Sequence, residues 1–320
     1  MQQFFPLSLQ ALVRLTQKFT AGVLLAGLWC NPILSQSVIE RASIYKIRNQ
    51  VDLSRQNQQN WLKANVGDTI VPQDAVRTGA NSRADLLFNE GTLVRTGGGT
   101  TFRFPPGRRN FELTSGAALI MIRPDRGQST ITTPQATVVS QGTALFMQHD
   151  PQSNASLIGV LTESPAGLVK VSTANGDVSI QLQAGQFVSI VQGVVGLVEY
   201  FVLPMFYETI ELAAGIGMGQ ESAIAQELPE VQATIRAVQA EAIEPLKNQL
   251  AWLNGFCRIG IEAEGISSAL QLLGMGVPGG RVKFELPQND LFVIPFRSIG
   301  GITWLNNYCQ ANQTPPNSAP

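Results

Sequence analysis

Between Gly67 and Gln192 the chain is a series of short alternating segments broken by Gly, Pro, Asn and Asp, and this stretch limits the possible folds more than any other. Successive side chains of a strand point to opposite faces, so a period of two marks a half-buried strand and a turn residue marks its end. Arg83-Ala84-Asp85-Leu86-Leu87-Phe88 puts Ala84, Leu86 and Phe88 on one face. Thr101-Phe102-Arg103-Phe104 and Asn110-Phe111-Glu112-Leu113 set apolar residues inside and charges outside, and Val178-Ser179-Ile180-Gln181-Leu182 repeats the pattern. The expectation is a mainly β chain. An antiparallel β-sandwich or β-roll over residues 38–200 precedes a smaller mixed, mainly helical region at 201–313 and a disordered tail at 314–320.

The same stretch carries an ordered set of short motifs. Gly67-Asp68-Thr69-Ile70 is followed by Val76-Arg77-Thr78-Gly79, Ser82-Arg83-Ala84, Glu90-Gly91-Thr92 and Thr132-Thr133-Pro134, and the set closes on Gln141-Gly142-Thr143 before Ala144-Leu145-Phe146. In this order they resemble the FecR domain, over about residues 60–195. That domain is the periplasmic part of regulators coupling outer-membrane transporter occupancy to an extracytoplasmic sigma factor, and it also occurs alone in exported proteins. The resemblance implies a non-enzymatic binding or sensing module that needs no cofactor and acts by protein contact in envelope signalling. Its partner would be an outer-membrane transporter or a regulator, met through exposed strand edges. Only an export-like segment precedes the domain, so the sigma-binding part is expected to be missing and no direct sigma-factor contact is expected. Phe206-Tyr207-Glu208, followed by Leu212-Ala213-Ala214-Gly215, resembles the tails after FecR domains in cyanobacterial exported proteins.

Residues 1–37 resemble a signal peptide. Arg14 and Lys18 precede an apolar run from Phe19 to Trp29, and Ser35-Gln36-Ser37 supplies small residues for cleavage after Ser37. The run is shorter than the roughly 20 apolar residues of a membrane span, although an uncleaved anchor is the alternative. Trp29 before Cys30 argues against lipidation. The expected location is the periplasm or the extracellular space. With 14% charged residues and a net charge of −1, neither nucleic acid nor an anionic bilayer is an obvious partner. Beyond Ser37 only Cys257 and Cys309 remain. They are either a disulfide holding the C-terminal region or two buried thiols, and the sequence leaves both open.

Charge is uneven along the chain. Residues 61–130 hold nine basic side chains against six acidic ones, whereas 131–245 hold two basic against eleven acidic. Arg77, Arg83, Arg95 and Arg103 are therefore candidates for contacting an acidic partner or surface glycan, the other reading being an ordinary solvated β-surface with cross-strand ion pairs. Val76-Arg77-Thr78-Gly79 recurs as Val94-Arg95-Thr96-Gly97. Either the two copies stack in a β-roll with Arg77 near Arg95, or a common turn has simply recurred. A wall- or glycan-associated structural role is the alternative function, and Phe102, Phe104 and Phe111 are the aromatics it would have to expose.

Residues 48–60 are dense in Gln and Asn and read as a solvated hairpin or loop. Past Gly193 a last strand and a short helix from Met205 to Ala214 are expected. A longer helix over Pro229–Leu253 follows, because Val231, Ile235, Val238, Ala242, Leu246, Leu250 and Leu253 form one stripe. Pro245 should kink or split it near Ile243. A short helix at Ser267–Leu273 and strand-like segments at Arg281–Leu286 and Leu291–Phe296 come next. No catalytic set emerges: the lone His149 reads as a surface turn histidine, and one His with two distant Cys does not make a zinc site.

Overall fold

Alternation becomes two stacked sheets that share one strand. The computed structural model describes residues 38–107, 109–262 and 299–312, which fall in one compact unit. The signal segment, Arg108, the elements expected between Ser267 and Phe296, and the tail lie outside the described residues. In chain order come β1 (Ala42–Arg48), β2 (Val51–Ser54), β3 (Trp61–Lys63), β4 (Thr69–Ile70), β5 (Ala75–Thr78), β6 (Arg83–Phe88), β7 (Leu93–Thr96), β8 (Thr101–Arg103) and the long β9 (Asn110–Ile122). Then follow β10 (Gln128–Thr132), β11 (Ala136–Gln141), β12 (Thr143–Asp150), β13 (Ala155–Val160), β14 (Val169–Thr173), β15 (Ser179–Leu182), β16 (Gln186–Val191), β17 (Val194–Val195) and β18 (Glu199–Tyr200).

One sheet runs β4-β1-β6-β7-β9-β12-β13-β16, with β17 and β18 both beyond β16. The other runs β3-β2-β5-β8-β9-β10-β11-β14-β15. Among these pairs only β9 with β10 is parallel. β9 leaves the second sheet and enters the first at Gly116, whose φ of +76° suits glycine. A Cβ there would lie 2.5 Å from Thr100 Cα.

The inward faces meet as expected from the alternation. Ala84, Leu86, Phe88, Phe102, Phe104, Phe111 and Leu113 all belong to one core cluster. Phe88 packs edge-on against Phe104 and Phe111, with ring centroids 5.3 and 5.1 Å away. The burial of these phenylalanines removes the stacking surface that the glycan reading required. One strand inside the expected loop was missed: Val51 and Leu53 of β2 point into the core, but four residues between Gln- and Asn-rich flanks carry little signal.

A helical layer covers the outward face of the first sheet. It comprises α1 (Leu203–Thr209), a 3-10 turn at Glu211–Ala213, α2 (Glu221–Ala225) and α3 (Pro229–Glu262); α4 (Ile299–Ala311) follows later in the chain. α1 begins before Met205 because Pro204 occupies its first turn, where a missing N–H costs nothing. Val231, Ile235, Val238, Ala242 and Leu246 of α3 cluster with Leu93, Leu119, Met121 and Phe146 of the sheet, so the stripe is core. Among the described residues the outward face of the other sheet, here the open face, has no such cover.

α3 is not split at Pro245. Proline leaves the carbonyl four residues earlier without its helical donor, and that carbonyl, of Glu241, instead accepts the Glu163 N–H at 3.3 Å. Near its end, Cys257 is disulfide-bonded to Cys309 of α4, with Cα atoms 5.3 Å apart and a sequence separation of 52. Closing a loop of that length is worth roughly 2–4 kcal/mol. Cys257→Ser with Cys309→Ser should release α4 from Val202, Met205 and Leu253, its partners in a small separate cluster. Limited proteolysis should then cut α4 well before the β-core.

Candidate interaction surface

The motif residues are mostly scaffold. Thr78 of the first repeat donates its hydroxyl to Gly97 O of the second at 2.6 Å and accepts the Thr100 N–H at 2.9 Å. Thr96 makes the equivalent pair of bonds to Ala84. Thr133 Oγ1 accepts N–H bonds from Gln135 and Ala136 and so closes the β10–β11 turn. Thr143 donates to Thr162 O at 2.7 Å. Glu90 pairs with buried Arg109 at 3.2 Å, and Arg109 also donates to Thr92 and Ser129. These side chains hold the places where the chain crosses or reverses.

The four candidate arginines are not brought together. Arg77 and Arg95 occupy matching positions of the repeat, but on opposite outward faces. Arg77 lies on the open face, stacked 4.4 Å over the Trp61 ring and paired with Asp52 at 2.9 Å. Arg95 is 1% exposed beneath the helical layer. It donates to Leu212 O and Ala214 O at 2.9 and 2.6 Å, with Glu227 3.6 Å and Asp85 3.9 Å from its guanidinium. Arg83 grips Asp85 through two bonds of 2.7 and 2.8 Å and reaches Glu211, which Arg48 also holds. Tyr45 donates to Asp85 as well; burial first, and then Asp85, pushes its hydroxyl far above the ordinary range. Arg95 and Arg83 therefore anchor the helical layer, and buried Arg95 cannot meet a partner. Arg103 stays on the open face, opposite Ala75 and Glu112.

His149 is not a surface turn residue. It is a buried residue of β12, with Nδ1 2.9 Å from Ser156 Oγ, and Ser156 donates onward to Thr133 at 2.8 Å. Burial lowers its pKa, against the opposing effects of the Ala155 backbone and Asp150. Ser156 is itself fully buried, so this Ser-His contact meets no substrate. Among the described residues, no cluster of three or more His, Cys, Asp or Glu is arranged to hold a metal.

What the fold leaves open is an edge. β17 and β18 pair only with β16 among the described residues; with the segment between them they carry Val194, Leu197 and Tyr200 at 70%, 84% and 63% exposure. Val178 and Leu168, also exposed, lead into β15 and β14 at the edge of the other sheet. Beside this strip lies a shallow cleft of about 350 Å³, with Pro134, Gln135, Asn154, Asn175 and Gln192 among its lining. Gln135 spans it, donating to Asn154 Oδ1 and accepting the Gly193 N–H, both at 2.7 Å. Native sheets usually protect such edges with charge or cover, and Glu199 is the sole charge within Val194–Tyr200. Apolar side chains flanked by amides suit a protein partner better than a small ion or a soluble metabolite.

Residues 74–164 match the family model described as FecR protein, so the chain contains a FecR domain, and the match supports a signalling or regulatory role. No curated protein matches the chain. Two crystal structures of a candidate anti-sigma factor from Parabacteroides distasonis, at 1.65 and 2.50 Å resolution, align at 19% and 18% identity, each with a TM-score of 0.34. Each alignment covers 39% of this chain and 59% of the other, a likeness too distant to say anything about function.

Proposed function

We propose that this chain is an exported, non-enzymatic binding module of the FecR type, acting by protein contact in envelope signalling through the β17–β18 edge. The observation that carries this reading is the exposed strip of Val194, Leu197 and Tyr200 along a strand edge left unpaired among the described residues, next to the amide cleft and to the Thr133–Pro134 turn of the matched domain. The partner is an outer-membrane transporter or a membrane regulator of a sigma factor, and no direct contact with the sigma factor is part of the reading. Export is supported by the signal-like composition of residues 1–37 and by the disulfide, which persists in oxidising compartments.

Leu197 is so exposed that folding does not depend on it, which makes it the residue to change. Leu197→Asp should lower recovery of the partner from envelope membranes roughly tenfold, as loss of an apolar contact at an interface centre does, while the melting temperature stays unchanged. Arg77→Ala on the open face should leave recovery intact. Equal recovery with all three proteins, or binding to peptidoglycan or outer polysaccharide alone, would contradict the proposal.

A further inference from the structure

α3 meets the segment after β13 twice at one residue. Its backbone contact is the Glu241 carbonyl freed by Pro245 and taken by the Glu163 N–H. The Glu241 side chain turns into the same joint, where both carboxyl oxygens are closed off from solvent and neither has a partner of hydrogen-bond geometry. The Thr162 hydroxyl lies close enough to favour the carboxylate, yet it already accepts the Ala144 N–H at 2.8 Å and sits 3.0 Å from Thr143 Oγ1. At most one donor is therefore on hand for an ion that asks for several.

Among the described residues, the surrounding charges do not make good the deficit. Glu163, on the facing segment, is exposed and bears the same sign. At the end of β9, Arg123 and Arg126 are paired with Asp125. On α3 itself Lys247 is paired with Glu244. From α1, the Tyr207 hydroxyl donates to Leu161 O at 2.6 Å and stays neutral, since burial pushes its pKa far above the ordinary range. A buried carboxylate without a cation or donors is costly, whereas the neutral acid fits. Burial accordingly raises the Glu241 pKa from 4.5 to about 8, with the Thr162 hydroxyl opposing.

We propose that Glu241 is a pH-responsive latch: its neutral carboxyl seats α3 on the segment after β13, and its ionised form loosens the helical layer from the sheet. This goes beyond the binding reading and does not depend on it. The sign follows from linkage. The folded chain keeps a proton that the unfolded chain gives up near 4.5, so the latch is firmest in acid and its contribution is lost as pH rises from there through about 8.

Hydrogen exchange at pH 6 and pH 9, corrected for intrinsic rates, tests the latch. Amides of Val231–Leu250 in the wild-type chain should lose protection roughly tenfold or more between the two values, and Glu241→Gln should keep the same protection at both. Glu163→Gln, which changes the exposed neighbouring carboxyl, should respond as wild type does. If Glu241→Gln does not fold, Glu241→Met takes its place in the comparison. The latch is overturned if wild type shows no loss, if the neutral variant shows the same loss, or if Glu163→Gln abolishes it.

Discussion

Arg95→Ala is expected to destabilise the chain by about 3–5 kcal/mol, the range for removing one partner of a buried ionic group. The guanidinium sits between the first sheet and the helical layer, and its removal orphans two carbonyls, Leu212 O and Ala214 O. It also leaves Asp85 and Glu227 buried, held among the described residues by Arg83, Tyr45 and Lys46 alone. Arg95→Lys should recover little, because an ammonium cannot reach two carbonyls and two carboxylates with the planar fork that arginine provides. In a chain of this size the alanine variant should melt roughly 10 °C lower. Urea denaturation followed by circular dichroism checks it, and a shift below 1 kcal/mol would mean that the helical layer does not depend on this anchor.

Gly116→Ala is expected to cost on the order of 4 kcal/mol, combining left-handed backbone strain with a collision. The new Cβ would stand 2.5 Å from Thr100 Cα and 2.7 Å from Gly99 O, both backbone atoms that cannot move aside cheaply. The damage falls where β9 passes between sheets, so both should unravel together in one transition. Gly99→Ala separates the two causes. Its φ is +66° with nothing within 4 Å of the added atom, so it should lose only the conformational term, about 1–2 kcal/mol. Equal midpoints for the two variants would rule out the close approach at Gly116.

The strands were legible because alternation is local. Ala84, Leu86 and Phe88 announce an inward face whatever else the chain does, and the stripe from Val231 to Leu246 announces a docked helix in the same way. Arg77 and Arg95 show where that reading stops. Identical tetrapeptides give both an outward side chain, and only the later placement of residues 203–262 decides that one is solvated and the other buried. Pro245 shows the same limit, since the donor that relieves it comes from Glu163, 82 positions earlier. Asp150-Pro151 makes His149 read as a turn residue, yet β12 runs on to Asp150 and the turn begins only at Pro151. In the sequence the Val194–Tyr200 strip is an ordinary last strand. Periodicity does not reveal that, among the described residues, no further strand pairs with it.

A photo-activatable side chain placed at position 197 in intact cells, with a second at position 77 as the comparison, tests the central claim most directly. The account predicts a single protein adduct from position 197, identified as an outer-membrane transporter or a sigma-regulating membrane protein, and none from position 77. Adducts from the open face alone, or polysaccharide as the only product at position 197, would contradict it.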